Sequence, residues 1–180
     1  MLLFVKKSTD QNISATTQAV TTTQHTKGKL VCGMCQKDYT PVLLGNKKQC
    51  LKYQRPWRSP LVVTRGMCSE DGASLPLPRN DQENADLYNF FVTERAKLSK
   101  SDQLDNLALD LSYFKKTGTF LSSTGEKPVF TKWGTGEPGN NINTFVAMSN
   151  NKTWRGYGPN FFVATICQQK ICVQGSFEIS

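Results

Sequence analysis

Six cysteines constrain this chain more than any other feature. Cys32, Cys35, Cys50 and Cys68 lie in the first half, and Cys167 and Cys172 stand close to the end. An even number in two groups fits a disulfide framework that staples one domain in an oxidising compartment. The competing reading, a metal or redox site at Cys32-Gly-Met-Cys35, lacks its supports. A structural zinc site wants a second such pair or a pair of histidines, and the one histidine, His25, sits in a polar tract. A thioredoxin-like pair wants a βαβ context, which this sequence does not offer.

The polar tract runs over residues 8–29 and is dominated by threonine, serine and glutamine. Its apolar residues are too few to build a core. Residues 1–29 therefore read as a flexible stalk or linker, and residues 30–180 as one domain. Asn12-Ile-Ser14 and Asn151-Lys-Thr153 are N-glycosylation sequons, so in a secretory context the chain is a glycoprotein. The opening MLLFVKK is cut by Lys6 and Lys7 below the ~7–15 apolar residues of a signal-peptide core, so no intact signal is read. The expectation is a secreted protein, or the extracellular part of a longer one. No apolar run approaches the roughly 20 residues of a membrane span, and the mean hydropathy is -0.43.

Lysine and arginine number 22 against 14 acidic residues, a net charge of +8. Such a balance suits acidic partners: nucleic acid, anionic lipid, or sulfated and sialylated glycans. The basic pairs at Lys6–Lys7, Lys47–Lys48 and Lys115–Lys116 are scattered. No long basic helix or aromatic-plus-basic run accompanies them, which argues against nucleic acid.

Local signals predict two helices and many short strands. Ser59-Pro60 reads as an N-cap with proline at the first helical position, opening a helix to about Glu70 that Gly66 weakens. Asn80 with Glu83 reads as a capping box. The helix after it carries Leu87, Phe90 and Phe91 at core spacing and should end near Leu98. Short strands are expected on either side of a Gly45-Asn46 turn, then at 107–111, 119–121, 129–130, 145–148 and 161–167. Two helices followed by strands and long loops make an α+β fold.

These pieces together resemble a C-type lectin-like domain over roughly residues 30–175. Cys68-Ser-Glu-Asp-Gly-Ala-Ser-Leu75 resembles the end of the family's first helix, and Asn80–Glu83 the start of its second. Leu107-Ala-Leu-Asp-Leu111 stands where the family has Trp-Ile-Gly-Leu. Val129–Trp133 followed by Gly136-Glu137-Pro138 resembles the approach to the long ligand-binding loop. Thr153-Trp154 resembles the start of the Trp-Asn-Asp strand, and Ala164–Gln168 the closing Ile-Cys-Glu. The resemblance implies two helices flanking small antiparallel sheets, a long irregular loop and disulfide staples. It implies a Cys68–Cys167 bridge, and a partner for Cys50 in Cys32 or Cys35, the other being left for Cys172. The preferred set is Cys35–Cys50 with Cys32–Cys172.

In sugar-binding relatives a Glu-Pro-Asn tripeptide gives oxygens to a calcium ion that also holds the sugar. Calcium wants about 6–8 oxygen ligands, with carboxylates among them. Here the tripeptide is Glu137-Pro138-Gly139, with Asn140 and Asn141 displaced by one. No acid stands near Asn143, and Trp154-Arg155-Gly156 lacks both ligands after the tryptophan. Phe145 and the 159–161 region fall where the family has its inner loop disulfide. Glu137 and Asn140 are thus the candidate metal ligands of a site that is weak or lost.

The leading expectation is an extracellular carbohydrate-recognition domain with weak or absent calcium dependence. Its candidate ligand-binding residues are Glu137, Asn140, Asn141, Asn143, Trp154 and Arg155. Trp133 and Trp154 would stack on sugar faces, the asparagines would bind hydroxyls, and Arg155 would meet an anionic sugar. Against this stands burial of both tryptophans in the core, and turn formation by the asparagines. The alternative function is a calcium-independent domain that binds protein through the same loop. An enzyme is not expected: His25 lies outside the domain, and no Walker or Rossmann glycine pattern occurs.

Overall fold

The computed structural model describes residues 34–55, 58–139 and 145–169. The expected stalk and the cysteines Cys32 and Cys172 lie outside the described residues.

β1 (Thr40–Leu44) and β2 (Lys47–Tyr53) form the expected hairpin around Gly45-Asn46. Gly45 has φ 58°, which favours glycine. Next come β3 (Ser59–Pro60) and helix α1 (Leu61–Glu70). Ser59 is not the N-cap. Pro60 occupies that position without a side-chain cap, and Ser59 is buried as a strand residue opposite Val163. A local cap was outweighed here by a long-range strand pairing.

Helix α2 (Asp81–Arg95) starts as predicted and stops three residues before Leu98, after which 96–98 form turns. Asn80 Oδ1 accepts from Glu83 N at 2.8 Å. The Glu83 carboxylate reaches back to Arg79 N at 2.9 Å, one residue beyond the usual capping box. Leu87 and Phe91, four residues apart, are fully buried, and Phe90 packs partly buried against the same core. Burying a side chain such as Phe91 stabilises by about 1.5–3 kcal/mol.

A short 3₁₀ turn at Lys100–Asp102 leads to β4 (Leu107–Phe114). Then follow β5 (Thr119–Leu121), β6 (Phe145–Met148), β7 (Trp154–Tyr157), β8 (Phe162–Val163) and β9 (Ile166–Gln169). Three antiparallel sheets result, with orders β1-β2-β9, β3-β8 and β5-β4-β6-β7. β5 and β7 are the edges of the third. Val129 and Phe130 are not a strand; Pro128 offers no N–H there, and Val129 is 81% exposed.

β4 is buried on both faces. Leu107, Leu109 and Leu111 join the core under α2 with Trp154 and Ile166. Ala108 joins a second cluster with Leu61, Cys68 and Cys167 under α1. The period-two alternation of a strand thus divides one core into two. Cys68–Cys167 ties α1 to β9, and Cys35–Cys50 ties the start of the described chain to β2. No helix among the described residues is long and apolar enough to cross a membrane.

Candidate functional site

The stretch Trp133–Gly139 is anchored on β7 at its start. Trp154 N donates to Lys132 O at 2.7 Å, and Gly134 N to Trp154 O at 3.0 Å. The chain thereby runs parallel to the start of β7. Gly134 suits this close approach: a Cβ there would lie 3.1 Å from Thr153 Oγ1, so that side chain would have to shift. Lys132 pairs with Asp81, fixing the loop entry to the start of α2.

Glu137 follows a turn closed by its own N–H to Gly134 O at 3.0 Å, and the Glu137–Pro138 bond is cis. Its Oε2 accepts from Gly139 N at 3.2 Å and from Gly156 N at 3.3 Å. The carboxylate therefore joins the loop to β7 through protein hydrogen bonds. Among the described residues no three His, Cys, Asp or Glu side chains gather as a metal would need. Glu137 is the one carboxylate of this loop among the described residues, and its Oε2 already takes two backbone donors, where a calcium ion takes about 6–8 oxygens. Asn140, Asn141 and Asn143 lie outside the described residues.

Trp154 is a correction to the list of ligand residues. It is 0% exposed, and its Nε1 donates to Asn84 Oδ1 at 2.8 Å inside the core. Phe130 and Trp133 pack edge-on against it. A ring enclosed in this way cannot stack on a sugar. Trp133 is half-buried and also packs on Phe120, with ring centroids 5.0 Å apart. Both tryptophans serve packing because the edge strand β7 needs an apolar face against α2.

Arg155, one residue on, faces the other way and is exposed. It forms no ion pair among the described residues. Tyr157, two residues further, shares its side of the strand. Burial, above all, pushes the Tyr157 hydroxyl above its ordinary pKa; the Arg155 cation lowers it and the Glu137 anion raises it. That hydroxyl donates to Asn106 Oδ1 at 2.9 Å. The Tyr157 ring stacks on Phe161, centroids 4.1 Å apart and planes 15° from parallel. Phe161 is 38% exposed, and Phe162 beside it 50%. Sequence reading missed Tyr157 and Phe161. The alternation Arg155-Gly156-Tyr157 would have flagged the first, but the pairing with Phe161 comes from the return of the chain. The exposed Asn151 of the second sequon has its Oδ1 taken by Thr153 N and two hydroxyls.

No family model matches this chain. Solved structures do. A mouse scavenger receptor C-type lectin carbohydrate-recognition domain matches with TM-score 0.62 and 10% identity, covering 78% of this chain and 100% of that one. The C-type lectin CEL-I of Cucumaria echinata matches with TM-score 0.63 and 17% identity, covering 77% and 99%. A calcium-independent type II antifreeze protein matches with TM-score 0.59 and 13% identity, covering 77% and 96%. The chain has a C-type lectin-like fold. It is an α+β, disulfide-bonded domain of that class.

Proposed function

We propose that this chain is an extracellular, calcium-independent carbohydrate-recognition domain for anionic glycans. Its ligand surface is the face made by Glu137-Pro138, Arg155 and the Tyr157–Phe161 pair, and Asn140, Asn141 and Asn143 are kept from the sequence as candidate contacts. The observation that carries this reading is the Glu137 carboxylate, held by Gly139 and Gly156 N–H with the exposed cation of Arg155 next in sequence. Hydrogen bonds within the protein do what a metal would do for the loop. The cation then offers a charge-assisted partner to a carboxylate or sulfate, and the edge of Phe161 an apolar face for a ring. The likeness to a carbohydrate-recognition domain and to a calcium-independent protein supports both parts. The net charge of +8 adds attraction for acidic glycans. The disulfides support an oxidising, extracellular setting.

The test combines two measurements. The melting midpoint should be the same in EDTA and in calcium, because only a ligand of the native state raises it. Sialylated or sulfated glycans should bind in EDTA and be lost in Arg155→Ala. A calcium-induced rise that Glu137→Gln abolishes would overturn the reading.

A second reading, recognition of a protein, is favoured by one observation. Phe161, Phe162 and Val62 are all exposed where β8 meets the start of α1, an apolar patch suited to a protein partner. Competition by free sugar separates the two.

A further inference from the structure

Four large apolar side chains that stay exposed lie together around the start of α1. Val62 is 52% exposed, Val63 44%, Phe161 38% and Phe162 50%. Backbone contacts hold them in one place. Leu61 N donates to Phe161 O and Val62 N to Pro159 O, each at 3.0 Å, and Pro60 stands opposite Phe162 in the β3–β8 pairing. Val163, the next residue of β8, is turned into the core and is 0% exposed. Strand alternation then leaves the Phe162 ring on the water side. Scattered single apolar residues on a surface are ordinary, but a contiguous patch marks a site of interaction.

The two segments that build the patch carry charge of one sign. Residues 53–69 and 138–177 contain six arginines and lysines and no aspartate or glutamate. α1 has no acidic residue in its first turn, although the positive end of a helix dipole favours one there. Arg58, two residues before Pro60, falls by alternation on the Phe162 side of the β3–β8 pair. It is exposed and forms no ion pair among the described residues. The cavities lie elsewhere. One of about 180 Å³ is bordered by Arg65 and Asp110, one of about 290 Å³ by Ser74 and Val129, and one of about 340 Å³ by Lys52 and Leu98. None of these is lined by any of the four apolar residues. Protein partners seat anchor side chains in pockets, whereas a bilayer interface receives protruding apolar groups directly.

We propose that Val62, Val63, Phe161 and Phe162 dock this domain on the surface of a bilayer rich in anionic phospholipid. The apolar side chains enter the boundary between headgroups and acyl chains, and Arg58 meets the lipid phosphates. Binding of this kind grows with the apolar area buried and with attraction to anionic lipid, and the patch offers both. The complement of an apolar centre with a basic rim and no carboxylate is a layer that is apolar within and anionic at its face. The domain lies on the membrane and does not span it. A lipid occupant takes the place of the protein given to this patch in the second reading. The glycan face at Glu137 and Arg155 plays no part in it.

The test uses the whole 180-residue chain with its disulfides intact. Co-sedimentation measures its partition onto vesicles of phosphatidylcholine alone and of a two-to-one mixture with phosphatidylglycerol. The mixed vesicles should bind about tenfold or more strongly than the neutral ones, and release the chain as salt rises. Arg58→Gln should weaken partition about fivefold, the factor carried by one basic residue near an anionic surface. Val62→Gln and Phe162→Ser should each weaken it about fivefold or more through lost apolar area. Val62→Gln sits at an exposed helical position and keeps the test open should Phe162→Ser fold poorly. Val129→Ser, which removes an exposed side chain outside the patch, should bind as the parent does. Glycerol phosphate in solution should not displace the chain. No binding to mixed vesicles overturns the proposal and returns the patch to a protein partner. It is equally overturned if neutral vesicles bind as well, if glycerol phosphate competes, or if Val129→Ser weakens binding as the patch variants do. Parent-like binding by Arg58→Gln, or by both Val62→Gln and Phe162→Ser, would overturn it too.

Discussion

Asn84 is a buried amide that joins α2 to the β6–β7 hairpin. It is 0% exposed, accepts from Trp154 Nε1 at 2.8 Å and donates Nδ2 to Lys152 O at 2.9 Å. Asn84→Leu keeps the branching and the number of side-chain heavy atoms and removes both bonds. The indole N–H is then left in the core without an acceptor, at about 1–3 kcal/mol. The Lys152 carbonyl belongs to a half-buried residue that water can reach, so its loss is the smaller one, about 0.5–1.5 kcal/mol. Together the substitution should destabilise by roughly 2–4 kcal/mol. At about 2–4 °C per kcal/mol for a chain of this size, the midpoint falls by some 5–15 °C. Trp154→Phe supplies the control, because phenylalanine has no N–H to orphan. In that background Asn84→Leu should cost only about 1 kcal/mol, a coupling of ~1–3 kcal/mol in the double-mutant cycle. Chemical denaturation of the four proteins measures it. An Asn84→Leu protein within about 0.5 kcal/mol of its parent, or equal costs in both backgrounds, would refute the reasoning.

The two disulfides should differ in weight. Cys68 and Cys167 are 99 residues apart and Cys35 and Cys50 are 15 apart. Loop entropy assigns about 4–5 kcal/mol to the first and about 3 kcal/mol to the second. Denaturation of Cys68→Ser/Cys167→Ala and Cys35→Ser/Cys50→Ala should show that order, and the reverse order would contradict the entropic argument. Alkaline pH should unfold the domain through its tyrosines. Burial pushes Tyr53 up to about 12, and burial followed by the Asp71 charge raises Tyr39. A phenol whose folded pKa lies above its unfolded value of ~10 contributes fully below pH ~10 and loses that contribution as pH rises toward its folded pKa. Stability should be flat up to that point and fall from there to about pH 12, with delayed phenolate absorbance. A single normal titration of all tyrosines would contradict it.

The candidate site was only partly legible in sequence. The glycines and proline around Glu137 announced a loop, and Arg155 was picked out by its departure from a known pattern. What could not be read was where the Glu137 carboxylate turns. Its acceptor role toward Gly156 spans 19 residues and exists only because the loop lies along β7. Trp154 shows the same limit from the other side. A tryptophan in a polar neighbourhood can be read as ligand contact or as core, and the choice falls to α2, 70 residues away, which brings Asn84 to its indole.

Signals confined to a few residues were determined by the sequence itself. The Asn80 cap, the Leu87–Phe91 stripe, the Gly45-Asn46 turn and the bounds of β5 and β6 rest on backbone preferences and periodicity that act within a turn or a strand. Features that depend on distant partners were decided by the tertiary structure alone. Ser59 left its capping role for a strand opposite Val163, and β4 buried both its faces because a helix covers each one. Arg65 met Asp110 across 45 residues, beside a cavity that no local pattern describes. Local preferences of a kilocalorie or less yield when packing and long-range hydrogen bonds act on the same residues.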